Sequence, residues 1–294
     1  MSRGQPIKTW STPIAPEGRE LVPCALCAGR RFRPRLSCEG FAYVRCARCG
    51  LVQMNPQPLA GDVGRRYRES FGQDYLSYEL ANEAVFLGLQ QLALEDAGFY
   101  RIERELLETT SSPPTVLDVG CATGALLAVL RDRGWQVTGV EISPSGDYAR
   151  LNRNIPVQSA SLEECHFPDG SFDLAHASHL IEHLNNPASF IGEAWRVLRP
   201  GARLLLTTPN IDGFQARLFG SRWRSAIFDH LYLFSRRTLA AMLRAAGFIV
   251  EGVYTWGGLA AGTAPAPVKA CADRAAKLLG IGDVMLVKAR KASK

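Results

Sequence analysis

The segment that decides the fold is Val116-Leu117-Asp118-Val119-Gly120-Cys121-Ala122-Thr123-Gly124. Its mostly apolar first half predicts a short buried strand, and its glycines predict a tight turn into a helix. Glycine allows the backbone to approach a ligand closely, and the start of the helix offers N–H groups to that ligand. A dinucleotide fingerprint has three glycines and no acid directly before them, whereas here Asp118 precedes Gly120 by two residues. The segment therefore favours a ligand with a cationic amine and a ribose over a pyrophosphate coenzyme.

Predicted strands and helices alternate around this segment. Helices are predicted at 124–133 and 145–152. Short apolar runs predict seven strands, at 115–119, 136–141, 155–159, 172–178, 203–208, 248–254 and 284–289. This alternation predicts an α/β fold with a doubly wound, mostly parallel seven-stranded sheet of the Rossmann-like type. Ligands of such sheets bind beyond the carboxyl ends of the strands.

A second carboxylate, Glu141, closes the second predicted strand. At that place it can accept hydrogen bonds from both hydroxyl groups of a ribose. The alternative is that Asp118 and Glu141 only cap helices. Their position at the ends of neighbouring strands favours the ligand-binding interpretation.

Four of the eight cysteines form two C-x-x-C pairs, Cys24 with Cys27 and Cys46 with Cys49. Two such turns supply the four thiolates that a structural Zn²⁺ binds tetrahedrally. The residues between the pairs predict a short hairpin, so this segment is predicted to be a zinc ribbon. Ordinary buried thiols and a redox-active pair are the alternatives. With four cysteine ligands no open position remains, so we expect the zinc to be structural.

Proline-rich segments and changes in composition mark the boundaries between three predicted parts of the chain. Residues 1–60 form the zinc ribbon with a basic N-terminal arm, 61–112 a helical linker or lid, and 113–294 the main domain with a cap insertion at about 211–235. Within the linker, apolar spacing predicts a helix from 67 to about 110. Residues 1–70 contain 12 Lys and Arg against 5 Asp and Glu, and residues 71–294 contain 22 against 23. The basic ribbon therefore permits phosphate-bearing partners without requiring them.

The composition excludes several protein classes. The chain has 294 residues, and 47% of them are apolar. This is enough to build a full core, so we do not expect disorder, collagen or a disulfide scaffold. No run approaches the roughly 18 apolar residues of a membrane span, and the first residues lack a signal-peptide core. We therefore expect a cytoplasmic protein without membrane contact.

The motifs together resemble the class I S-adenosylmethionine-dependent methyltransferases over residues 115–291. The similar phrases are VLDVGCATG, VTGVEISP, FPDGSFDLAHASHLIEHLNNP, WRVLRPGARLLLTTPN and LRAAGF. The N-terminal CALC…CARCGLVQMNPQP resembles the zinc-ribbon extension of some bacterial small-molecule methyltransferases. The resemblance implies S-adenosyl-L-methionine as methyl donor. It also implies a small-molecule acceptor, such as a sugar nucleotide, a natural-product intermediate or a quinone-like compound, methylated on O, N or C.

The same resemblance implies roles for individual residues. Asp118, Gly120 and Gly124 would hold the methionine end of the donor, and Glu141 its ribose. The remaining candidate donor-binding residues are Cys121, Ile142, Ser161, Leu162 and Ser178, of which Ser161 and Leu162 would contact the adenine. Ala122 replaces the usual middle glycine of the turn, and Ser161 replaces an acid that often contacts the adenine amine. These two departures predict weaker donor binding than is usual in the family.

The candidate catalytic residues are His230 and His183. Methyl transfer from a sulfonium needs alignment and, for some acceptors, a base that removes one proton. His179-Leu180-Ile181-Glu182-His183 also matches the H-x-x-E-H string of a zinc protease class, but a strand precedes it and Pro187 follows, which argues against a protease helix. Some quinone-pathway O-methyltransferases have E-x-x-E-H here and use a divalent cation. A cation at His179, Glu182 and His183 is therefore one alternative, and packing of the loop is another.

Two other functions remain open at the level of sequence. In the first, an RNA methyltransferase uses the basic ribbon to bind the phosphate backbone. In the second, a non-catalytic protein binds the donor without transferring its methyl group. Methyl transfer to a small molecule is favoured over both, and nucleic acid is a possible but less favoured partner.

Overall fold

The structure, a computed structural model, describes residues 18–65, 72–109, 112–258 and 265–293. The predicted basic arm at residues 1–17 lies outside the described residues. Within them, no helix is both long enough and apolar enough to cross a membrane.

The described part of the chain begins with five short strands, which are followed by three helices. The strands are β1 (Arg19–Glu20), β2 (Phe32–Cys38), β3 (Phe41–Cys46), β4 (Val52–Met54) and β5 (Gln57–Pro58). The helices are α1 (Ala60–Arg65), α2 (Gly72–Asp96) and α3 (Phe99–Thr109). We call residues 18–58 the ribbon. The predicted single helix is interrupted between α2 and α3 at Gly98, whose φ of +73° belongs to the left-handed region that favours glycine.

The rest of the chain alternates strands and helices. In chain order its elements are β6 (Thr115–Val119), α4 (Ala125–Asp132), β7 (Gln136–Val140), α5 (Ser145–Arg153), β8 (Val157–Gln158), β9 (Phe172–Ser178), α6 (Pro187–Val197), β10 (Leu198–Pro209), α7 (Phe214–Phe219), β11 (Tyr232–Leu233), α8 (Arg236–Ala245), β12 (Phe248–Trp256), α9 (Ala266–Leu279) and β13 (Val284–Lys291). Each predicted strand has its counterpart in this series.

Seven strands form the central sheet, in the order β12-β13-β10-β9-β6-β7-β8. From β10 to β8 all neighbours are parallel, and β13 is antiparallel to both β10 and β12. The predicted doubly wound, mostly parallel sheet is confirmed. In the register, Asp118 of β6 lies beside Gly139 of β7 on one side and beside His176 of β9 on the other.

A second sheet joins the ribbon to the main domain. Its strand order is β11-β4-β3-β2, so its edge strand β11 comes from the predicted cap insertion. Tyr232 of β11 pairs with Gln53 of β4. The Tyr43 hydroxyl lies 2.7 Å from the carbonyl oxygens of both Ile227 and His230. The ribbon and the main domain therefore share one continuous hydrophobic core.

Candidate functional site

The glycine turn after β6 has a backbone that most residues avoid. Gly120 and Gly124 have φ values of +74° and +72°, and Ala122 between them has +50°. At Gly124 an added Cβ would lie 2.9 Å from the Cβ of Ala149, which leaves no room for a side chain. Ala122 occupies the left-handed region without glycine's freedom, which costs about 1 kcal/mol. The turn is also held by its own N–H groups, because Gly120 and Cys121 donate to the carbonyl oxygen of Val140 at 2.8 and 3.2 Å, and Gly124 donates to that of Cys121 at 2.9 Å.

Glu141 follows β7 and lies against this turn. Its Oε2 accepts a hydrogen bond from the Ala122 N–H at 3.1 Å, and its Oε1 accepts one from the Ser143 N–H at 2.8 Å. Burial raises the pKa of this carboxyl, although these hydrogen bonds oppose the shift. The structure therefore brings the predicted turn and the predicted carboxylate together at the carboxyl edge of the sheet.

Asp118 has a partner, His176, that the pattern of its own strand does not predict. The Nδ1 of His176 lies 2.7 Å from its Oδ1, and both side chains are buried. The His176 Nε2 is buried with no hydrogen-bond partner among the described residues. The pair follows from the register of β9 beside β6, and the pattern of either strand alone gives no signal for it.

Two acids of α2 cover the same edge. The Ser145 hydroxyl donates to the carboxylate of Glu79, and the Thr123 hydroxyl donates to that of Glu83 at 2.7 Å. Glu83 also forms an ion pair with Arg153. Burial raises the pKa of Glu79 to about 7. The spacing of α2 predicted a helix, but nothing in it indicated that these acids contact the turn.

The other predicted donor-binding residues lie after the carboxyl ends of neighbouring strands. Ser161, after β8, donates to Glu164 from both its N–H and its hydroxyl at 2.9 Å. Leu162 beside it is buried, and Cys121 is a buried thiol whose pKa burial raises well above its usual value. Ile142 follows Glu141, and Ser178 ends β9. Their donor-binding role stays a prediction.

The candidate catalytic histidines form a cluster with Glu182. The ligand atoms of Glu182, His183 and His230 all lie within 4.8 Å of one another, and the two imidazole ring centroids are 4.7 Å apart. Nδ1 of His183 lies 2.9 Å from the carbonyl oxygen of Asp229, and Nδ1 of His230 lies 2.8 Å from that of Ser225. A carbonyl oxygen can only accept, so each Nδ1 has the hydrogen.

Glu182 is fully buried and ionised within this cluster. Its burial opposes ionisation, but the hydrogen bond from His179 and the nearby histidines lower its pKa to about 2. The Thr208 hydroxyl donates to its Oε2 at 2.9 Å. Burial, together with the nearby His183, lowers the pKa of His230 to about 3, so this imidazole is neutral.

His179 is placed differently from the other predicted members. Its Nδ1 lies 3.1 Å from Oε1 of Glu182, while its side chain is 47% exposed. The group that can hold a metal contains Glu182 and His183, as predicted, with His230 as its third member. Because His230 lies 47 residues beyond His183 in the chain, only the folded cap brings it there.

The four ribbon cysteines converge on one point. All four Sγ atoms lie within 4.8 Å of one another, and the Cys24–Cys49 and Cys27–Cys46 sulfur distances are 3.3 and 3.6 Å. Tetrahedral zinc with Zn–S bonds near 2.3 Å needs sulfurs separated by about 3.8 Å. Burial opposes ionisation of Cys46, but hydrogen bonds from the backbone of Cys49 and Arg48 lower its pKa to about 7. The thiolate set fits a zinc ion.

Comparison with known proteins identifies the family. The family described as a methyltransferase domain matches residues 95–252, more than half of the chain. A probable S-adenosylmethionine-dependent methyltransferase from Mycolicibacterium smegmatis is 33% identical over 153 residues, which are 49% of this chain and 57% of that protein. A demethylmenaquinone methyltransferase from Tropheryma whipplei is 34% identical over 117 residues, which are 38% of this chain and 48% of that protein.

A solved structure agrees with this assignment at the level of fold. A SAM-dependent methyltransferase from Archaeoglobus fulgidus aligns with a TM-score of 0.51 and 18% identity over 73% of this chain and 99% of that chain. The chain spans about half the length of the curated relatives named above. It belongs to the methyltransferase-domain family and has the fold of the class I S-adenosylmethionine-dependent methyltransferases.

Proposed function

We propose that this protein transfers a methyl group from S-adenosylmethionine to an O, N or C atom of a small-molecule acceptor. The main support is the carboxylate of Glu141, hydrogen-bonded to the glycine turn at the carboxyl edge of a methyltransferase sheet. The demethylmenaquinone methyltransferase among the relatives favours a quinone-like acceptor over a sugar nucleotide. A cytoplasmic location remains a prediction.

The donor-binding residues follow from this geometry. Bound S-adenosylmethionine supplies a methyl group on a cationic sulfonium, which the carboxylates at this edge attract. Glu141 would accept hydrogen bonds from the ribose hydroxyls, while the glycines of the turn let its backbone approach the donor closely. His176 holds Asp118 in place by their 2.7 Å contact, so Asp118 can face the methionine end without rearranging.

On the acceptor side we assign His183 as the candidate base and His230, whose lowered pKa keeps it neutral, as an acceptor-binding group beside it. Each imidazole donates its Nδ1 hydrogen to a backbone carbonyl, so Nε2 is the nitrogen that is available to the acceptor. The alternative role for the same atoms, together with Glu182, is to bind a divalent cation.

Titration of the chain with Mn²⁺ separates these two roles. Tight binding that is lost in His183→Gln would assign the cation site. Absence of binding would exclude it, and loss of turnover in His183→Gln with unchanged donor affinity would then assign the base rather than loop packing. His166→Gln, at an exposed histidine, is the matched control.

We also propose that the ribbon holds one structural zinc ion through Cys24, Cys27, Cys46 and Cys49. The convergence of their sulfurs supports this assignment. With four thiolates bound, the metal would have no open position for catalysis, so its contribution is to the folding of the ribbon.

The proposed function is tested by calorimetric titration with S-adenosylmethionine and S-adenosylhomocysteine. We expect Glu141→Ala to weaken binding of both at least 100-fold, because hydrogen bonds to a charged group contribute about 1.5–3 kcal/mol each. Glu39→Ala, at an exposed acid in the ribbon turn, removes the same charge and should leave affinity unchanged. Equal affinity of Glu141→Ala and the wild type, in a folded protein, would contradict the assignment.

A further inference from the structure

Five arginine side chains surround one cavity of the ribbon. The cavity has a volume of about 430 Å³. Its arginines come from β2, β3, the second cysteine turn and α8, and are Arg33, Arg35, Arg45, Arg48 and Arg237. We call it the arginine cavity. It shares no residue with the candidate donor site, so an inference about it goes beyond the proposed methyl transfer.

The strand register forces some of these charges together. Arg33 of β2 lies directly opposite Arg45 of β3 in the antiparallel ladder. Like charges at directly opposite positions destabilise a sheet. Arg35 lies where the register shifts between Pro34 and Leu36, and its side chain also lines the cavity. The ribbon therefore retains a repulsion that a bound anion would relieve.

The protein itself does little to neutralise these charges. Within the part of the chain that the structure describes, none of the five arginines forms an ion pair. No described carboxylate lines the cavity itself, and Asp212 lines an adjoining pocket that shares three of the arginines. Arg48 and Arg237 donate to the backbone carbonyl oxygens of Cys27 and Cys49 at 3.4 and 2.9 Å. A zinc ion with four thiolates would have two negative charges. These two charges do not balance five guanidinium groups.

Gly50 leaves room for two guanidinium groups at the cavity wall. Its φ is +84°, and an added Cβ would lie 3.0 Å from Nη2 of Arg237 and 3.3 Å from Nη2 of Arg45. The two groups thus approach the same point from a strand and from a helix. Such convergence provides several N–H donors for one ligand.

The size and chemistry of the cavity indicate its ligand. A guanidinium group donates two parallel hydrogen bonds to phosphate oxygens, and pockets for small molecules have volumes of about 300–1,000 Å³. Single-stranded nucleic acid sites add aromatic side chains for base stacking, whereas no described aromatic residue lines this cavity. We propose that the arginine cavity binds the diphosphate group of a small-molecule ligand.

Calorimetric titration of the zinc-loaded chain with inorganic pyrophosphate tests the proposal. We expect one site per chain and at least tenfold tighter binding of pyrophosphate than of inorganic phosphate. The double variant Arg33→Gln with Arg45→Gln should weaken pyrophosphate binding at least tenfold. The control double variant, Arg30→Gln with Arg31→Gln, removes two exposed ribbon charges outside the cavity lining and should change affinity less than twofold.

Two further measurements make the outcome decisive. Removing Arg33 and Arg45 relieves repulsion, so the thermal midpoint of the ligand-free variant should not fall. Arg33→Lys with Arg45→Lys keeps both positive charges but removes the planar guanidinium groups that donate paired hydrogen bonds. This double variant should still weaken pyrophosphate binding at least threefold. Absence of pyrophosphate binding, or equal losses in the cavity and control variants, would overturn the proposal. A 12-nucleotide RNA that binds more tightly than pyrophosphate would replace it with a nucleic-acid surface.

Discussion

The carboxyl edge of the central sheet, which we call the donor edge, contains negative charges, and the arginine cavity contains positive charges. The two regions differ in how these charges are neutralised. At the donor edge, Asp118, Glu141 and Glu83 each accept hydrogen bonds from the protein. In the cavity, five exposed arginines lack ionic partners within the described chain. The carboxylates at the sheet edge are thus held by partners within the fold, whereas we propose that the ribbon needs a metal and an anion. One continuous core joins both regions, so the proposed dependence of the ribbon can be tested against the main domain of the same chain.

Zinc removal is the largest test of this difference. We expect Cys24→Ser with Cys27→Ser to lose one zinc per chain, since structural zinc contributes on the order of 10 kcal/mol to the folding of such sites. Hydrogen exchange should then lose protection in β2–β4 and keep it in β6 and β9. Cys271→Ser, at an exposed cysteine, is the control and should retain the metal. A metal-free ribbon with full protection would contradict the proposed dependence.

A pH effect on stability sharpens the contrast at the donor edge. Burial raises the pKa of Glu79 from 4.5 to about 7, so the folded chain binds a proton that the unfolded chain has released. The free energy of unfolding should therefore fall as the pH rises from about 4.5 to about 7, by up to about 3 kcal/mol, and then level off. Urea denaturation across this range measures it.

The control for this effect lies on the same helix. Glu79→Gln should abolish this part of the pH dependence, because the amide does not titrate. Glu95→Gln, at an exposed position of α2, should leave it intact. Identical pH profiles for Glu79→Gln and the wild type would refute the assignment to Glu79.

The smallest expected effect concerns strain within the glycine turn. Ala122→Gly should stabilise the chain by less than about 1 kcal/mol, since relief of the left-handed backbone exceeds the added entropy of the unfolded chain. The same substitution at Ala128, within α4, should instead destabilise it by about 0.5–1 kcal/mol. Denaturant titration of both variants compares the two signs. A loss of stability in Ala122→Gly as large as that in Ala128→Gly would argue against strain at the turn.

Local sequence determined much of this protein. The apolar runs predicted all seven strands of the central sheet. The parallel strands β6 and β9 are buried along nearly their whole length, which requires continuous apolar segments, whereas the edge strand β12 is only partly buried. The glycines and the cysteine spacing specified the turn and the thiolate set, since both depend on residues close together in the chain. Glu141 was identified because strand ends of a parallel sheet meet at one edge.

Only the tertiary structure decided how distant segments combine. It paired His176 with Asp118, set Glu79 and Glu83 of α2 on the turn, and brought His230 to Glu182. It also added β11 to the ribbon sheet, which shares its core with the main domain. None of these contacts follows from the periodicity of a single element. They depend on strand register and on the packing of elements far apart in sequence, which are determined only when the whole core is assembled.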